Sequence, residues 1–211
     1  MFPKTSKSGL YIYLILMFLV LLQTRTGLAE PRVRIDLERE TQKKVSVAIT
    51  DFVLKDSMAD IMGIGKEAKK ILEKDLRLSE WFSPLSRQVF EELEEMERSS
   101  SELDYRSWRQ VGAQWLIKTE YSVMENGKGQ VFVFRLYDAV NKRFLFGKRY
   151  KASSDLFRKT VHRFADEVVM QLTGKRGIAE TQIAFLGQEK SGKEIYLIDF
   201  DGHNLRQLTF D

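Results

Sequence analysis

With 211 residues, 43% of them apolar, the chain can bury an ordinary core, and disorder is not its default. It has no cysteine, which leaves stability to core burial and excludes a lipidated amino terminus. The formal charge of +4 falls to +1 when Lys4, Lys7 and Arg25 are set aside with residues 1–29, so that 31 bases face 30 acids. Nucleic-acid binding calls for a basic stripe that this balance does not supply.

"MFPKTSK" is basic, "LYIYLILMFLVLL" runs apolar for 13 residues from Leu10 to Leu22, and "TRTGLAE" follows with small residues at Gly27 and Ala29. Crossing a membrane takes about 20 apolar residues, so residues 1–29 read as a secretory signal cleaved after Ala29. An uncleaved anchor is the alternative. Either one points to export from a bacterial cytoplasm into the periplasm.

Residues 30–44 are polar apart from Val33, Ile35 and Leu37, an alternation that suits a strand or an extended recognition segment. "VSVAITDF" from Val45 predicts the first strand of a folded domain. Ser57 to Leu78 spaces Ile61, Ile64, Ala68, Ile71, Leu72, Asp75 and Leu76 as one face of a helix. "SEWFSPL" predicts a loop that turns Trp81 and Phe82 inward, and helices follow over Ser86–Ser100 and Leu103–Ala113, the latter ending near Gly112. Three strands come next, at Gln114–Met124, Gly129–Asp138 and Arg143–Ala152, with Asn126-Gly127 as a hairpin turn. The segment from Ser153 to Gly174 predicts a helix capped by Ser153 or Ser154, with Phe157, Val161, Phe164, Val168 and Leu172 facing the meander and Gly174 as its stop. Beyond Thr181 only short strands remain: "TQIAFLG", "EIYLIDFD" and "LRQLTF". The fold class is therefore α/β: a mixed sheet with helices over 45–177, then three antiparallel strands over 178–211 that read as an incomplete β-propeller blade.

Candidate chemistry is sparse. His162 stands four residues before Asp166, the spacing of a pair on a solvent edge of a helix, and His203 sits in a "DGHN" turn. "GIGK" at Gly63–Lys66 lacks the spacing and the Ser/Thr of a phosphate loop. Glu91, Glu92, Glu94 and Glu95 fan around a helix rather than converging on a metal. Phe132, Phe134, Phe144 and Phe146 alternate as a core face, a better account of them than base stacking. No catalytic residue, metal site or cofactor is indicated.

Five segments carry a family resemblance: "DLRLSEWFSPL", "WRQVGAQWLIKTEY", "FRLYDAVNKRFLFGKRY", "HRFADEVVMQLTGKRGIAETQIAFLG" and "EIYLIDFDGHNLRQLT". In order and spacing they resemble the TolB family of the Tol-Pal envelope system. The resemblance implies an α/β domain followed by a six-bladed propeller and a non-enzymatic role in outer-membrane integrity and cell division. It implies two protein partners, TolA and the peptidoglycan-associated lipoprotein Pal, with Pal bound mainly through the propeller and holding the protein peripherally at the outer membrane. No small-molecule substrate is implied. On the same resemblance, Val33, Arg34, Ile35, Asp36 and Leu37 fall where the TolA-binding segment begins. Two departures stand out: Asp51 replaces a common Pro before Phe52, and Gly63 and Gly65 soften the first helix. Two other readings remain: the amino-terminal part of a propeller-containing exported serine peptidase, and a free-standing envelope-sensing domain.

Overall fold

The computed structural model describes residues 43–55, 63–98, 100, 102–124, 127–188 and 192–210. Its first element is strand β1 (Val45–Ile49), and a short β2 (Val53–Leu54) follows. The single strand expected from Val45 is therefore interrupted. Both pieces run parallel to β4 (Trp115–Val123), but the four steps from Ile49 to Val53 span only three on the partner, from Ile117 to Glu120. The extra residue takes Asp51 out of the ladder, and its N–H is donated to the Glu94 carboxylate at 2.6 Å.

Helix α1 (Ile64–Leu78) begins after Gly63, which has φ 64°. The expected first turn from Ser57 lies outside the described residues. A Cβ on Gly65 would come within 2.9 Å of the Tyr121 ring, so this glycine lets the helix settle closely on β4. The stretch expected as a loop contributes an edge strand, β3 (Phe82–Pro84), parallel to β1, with Phe82 buried and Trp81 half-buried. The helix expected over Ser86–Ser100 is split into a tight turn at Arg87–Val89 and helix α2 (Glu91–Arg98). Phe90 breaks it, leaving helical geometry so that its ring packs 5.4 Å from that of Trp108. Helix α3 (Tyr105–Gln110) is capped by the Asp104 side chain, which accepts the N–H groups of Arg106 and Ser107.

β4, β5 (Gly129–Asp138) and β6 (Arg143–Ser153) form the expected antiparallel meander, giving the order β3-β1-β4-β5-β6 with β2 beside β4. Asn126 lies outside the described residues, while Gly127 has the positive φ that the turn requires. The aromatic face holds for Phe132, Phe134 and Phe146 but not for Phe144. A register shift pairs Leu136 with Phe146 and Tyr137 with Phe144, so Phe144 turns to the opposite face, 53% exposed, with its ring 5.5 Å from that of Tyr137.

Helix α4 (Phe157–Thr173) starts later than expected. Its N-cap position is Leu156, because Ser153 is still paired with Gly129 in the sheet and Ser154 accepts a bond from Gln130. Gly174 ends it in the left-handed region. The core lies between the sheet and helices α1 and α4: Phe164 stacks on Phe134 at 4.2 Å, Phe134 on Phe132 at 5.7 Å, and Phe132 on Tyr121 at 5.8 Å. A smaller cluster on the other face joins Ala48, Phe90, Leu93, Trp108 and Leu116. Beyond α4, β7 (Gln182–Gln188), β8 (Lys193–Asp199) and β9 (Arg206–Gln207) form a separate antiparallel sheet in sequence order.

Candidate docking surfaces and their relatives

The five residues assigned to partner binding, Val33, Arg34, Ile35, Asp36 and Leu37, lie outside the described residues. The start of β1 is well defined: the Val45 N–H is donated to the Trp81 carbonyl at 2.9 Å. Around it Val45, Trp81, Phe82, Trp115 and Leu172 line an open cleft of about 590 Å³. Lys175 places its ammonium 4.6 Å above the Trp81 ring, closing one aromatic face with a cation.

At the other end of β1, Asp51 organises a network of charges. Its carboxylate meets Lys69 at 2.7 Å, Arg87 at 3.0 Å and Arg98 at 3.4 Å. Burial alone would raise the Asp51 pKa, but the Lys69 hydrogen bond and the three cations outweigh it and hold the carboxyl below its usual range. Glu94 goes the other way: burial dominates the bond from the Asp51 N–H and pushes its carboxyl up. A proline could not donate that N–H, so the departure at Asp51 is tied into the packing of α2. Glu97, with its side chain 6% exposed, accepts the Trp108 indole N–H at 2.7 Å and Lys118 at 2.6 Å. Glu94 and Glu97 of α2 therefore serve as structural acceptors, and among the described residues no group of three or more His, Asp or Glu is placed to hold a metal.

The expected solvent-edge pair of His162 and Asp166 does not form. His162 is buried with its Nδ1 2.6 Å from Asp75 of α1, and Asp166 turns away to accept the N–H groups of Ala179 at 2.8 Å and Glu180 at 3.1 Å. Local i,i+4 spacing pointed at the wrong partner because the contact that decides is 87 residues distant in sequence. Burial raises the Asp75 pKa despite the imidazole, with the Asp201 and Asp166 charges adding to the effect. His203 is half-exposed in its turn, with its ring 3.2 Å from Asp201. Asp75 is signalled in the sequence only by its place on the apolar face of α1, and Asp201 by nothing in its turn.

Fold and surface together define an α/β domain with a network of paired charges around Asp51, continuing into a short antiparallel sheet. Residues 33–145 match the family model described as the TolB amino-terminal domain, and the chain belongs to that family. It is 34% identical over 179 residues to the Tol-Pal system protein TolB of Syntrophotalea carbinolica, covering 83% of this chain and 40% of that protein. To the Tol-Pal system protein TolB of Geobacter sulfurreducens it is 34% identical over 151 residues, covering 72% and 34% respectively. The chain thus spans no more than 40% of the length of these relatives. The crystal structure of TolB from Acinetobacter baumannii shares the fold, with a TM-score of 0.59 at 16% identity over 78% of this chain and 38% of that one. Among the described residues no helix is long and apolar enough to cross a membrane.

Proposed function

We propose that this chain is a periplasmic docking component of the Tol-Pal system, without catalysis of its own, that links TolA to the peptidoglycan-associated lipoprotein Pal in maintaining the outer membrane and supporting division. Residues 1–29 act as the signal, 30–44 as the partner-binding segment, 45–177 as the α/β domain and 178–211 as the opening of a propeller blade. The observation that carries this reading is where the family match starts. It begins at Val33, so the alternating segment Val33–Leu37 falls within the family's amino-terminal domain although it precedes β1.

Such a segment can add its backbone to a sheet edge of TolA while Val33, Ile35 and Leu37 fill pockets and Arg34 and Asp36 stay in water. Pal, on this reading, is met mainly by the propeller that β7, β8 and β9 open. Deleting residues 30–43 and measuring binding to the carboxy-terminal domain of TolA tests the assignment. Loss of binding with an unchanged melting temperature is expected; unchanged binding would defeat it.

A further inference from the structure

The sheet of β7, β8 and β9 is attached to the α/β domain by different means from those that hold the domain together. No residue beyond Ala179 belongs to either hydrophobic cluster among the described residues. Away from the linker, a buried carboxylate joins the two. Asp201, 4% exposed, projects from the turn after β8 onto α1 and α4. Its Oδ2 pairs with the Arg158 guanidinium and lies 3.8 Å from the His162 ring. Its backbone carbonyl accepts the Lys74 ammonium. Behind these groups, Arg158 is held by Glu67 at 3.0 Å and His162 by Asp75 at 2.6 Å.

The loop that carries Asp201 is closed by its own bonds. Gly202 donates to the Asp199 carbonyl at 2.8 Å, Asp199 to the His203 carbonyl at 2.9 Å, and the Asp199 carboxylate receives Gln182 and Asn204. His203 donates its N–H to Asp201 Oδ1 at 3.1 Å. Asp201 is therefore presented by a turn whose shape does not depend on the helices. A second tie lies at the linker: Asp166 grips the Ala179 and Glu180 N–H groups, Ala179 is buried, and a Cβ on Gly177 would meet Asp166 at 2.1 Å. One end of the attachment is thus fixed by linker N–H groups on the Asp166 carboxylate and by close packing, and the other by charged side chains around Asp201.

We propose that Asp201 is the catch of an ionic latch and the Asp166–Ala179 contact its pivot, so that breaking the catch lets the three-stranded sheet swing as a body from α1 and α4 while both sheets stay folded. Hinged elements of this kind turn at a few residues between rigid parts, and charge contacts without a shared apolar core are suited to opening locally. Arg158, Lys74 and His162 form the seat; Asp75 and Glu67 hold that seat in place from α1.

The chain has no cysteine, so two introduced ones allow clean spin labelling of the whole protein. Labels at Lys159→Cys on α4 and Ala184→Cys on β7 report the separation by pulsed electron resonance, with circular dichroism and thermal melting run on the same samples. One narrow distance distribution is expected with Asp201 intact. Asp201→Asn, which keeps the loop's own hydrogen bonds, shifts it to longer and broader distances with strand content unchanged. Arg158→Gln, which leaves the loop untouched, does the same from the helix side. An unchanged distribution in both variants overturns the latch. Loss of strand content in both overturns it as well, since the contact would then be part of the fold and not a catch.

Discussion

The mixed sheet and the three-stranded sheet differ in what covers them. Over the first, Phe132, Phe134 and Phe164 form a continuous stack between α4 and the strands, with Val47, Ile117 and Leu136 filled in around it. On the second, Ile183, Phe185, Leu186 and Ile195 are left largely exposed, and the tie to the helices is ionic. An apolar core resists partial opening because each side chain lost exposes several others, whereas opening a buried ion pair gives both partners back the hydration they lost on pairing, which offsets much of the attraction. The α/β part is thus built as a rigid body and the strands beyond it as an appendage to that body.

The largest effect should come from the stack. Phe134→Ala removes a ring in contact with Phe52, Phe132, Tyr150 and Phe164 and is expected to cost about 3–5 kcal/mol in urea unfolding. Leu186→Ala, at a side chain 67% exposed, is expected to change stability by no more than about 0.5 kcal/mol. Similar costs for the two would break the comparison between the sheets.

Next comes the charge network at Asp51, whose contacts lie inside the rigid body. Asp51→Pro removes both the carboxylate and the N–H that Glu94 accepts, an expected loss of about 2 kcal/mol in thermal melting. Asp51→Asn keeps the N–H, and at this part-exposed site should lose less than about 1 kcal/mol. Equal losses would mean that the backbone bond contributes nothing.

The pH dependence carries two opposite signs. Asp75 and Glu94 have raised pKa values, so the unfolded chain releases their protons first and stability falls as pH rises from about 4 through the raised values. For Asp51 and Asp138 the shift is downward: burial is outweighed by Lys69 at Asp51 and by Asn141 at Asp138. Their contribution is present above the usual carboxylate range and is lost as pH falls through the lowered values. Melting temperatures across pH should therefore peak on the mildly acidic side, and Asp75→Asn should flatten the fall toward neutral pH. An identical slope in that variant would remove Asp75 from the account. Smaller still is Gly65→Ala, where crowding against Tyr121 opposes a gain in helix propensity; a net loss of about 1 kcal/mol is expected by the same melting measurement.

Much of this architecture was legible because periodicity reports which face is buried. The meander, α4 and its Gly174 stop, and the three last strands follow from alternation, helical spacing and turn residues. What could not be read depended on contacts distant in sequence. Phe144 left the core face through a one-residue register shift, Phe90 broke a helix to reach Trp108, and His162 found Asp75 in place of Asp166. Short edge pairing was equally hidden, since "FSP" reads as a loop until β1 lies beside it. For the proposed docking segment the alternation at 33, 35 and 37 is visible in the sequence, and binding experiments decide its consequence.

The most direct test compares the two faces of that segment by calorimetric titration with the carboxy-terminal domain of TolA. Val33→Asp, Ile35→Asp and Leu37→Asp together are expected to abolish binding, while Arg34→Ala with Asp36→Ala weakens it by less than about tenfold. Equal effects of the two sets, or binding that survives the triple substitution, would contradict the docking assignment.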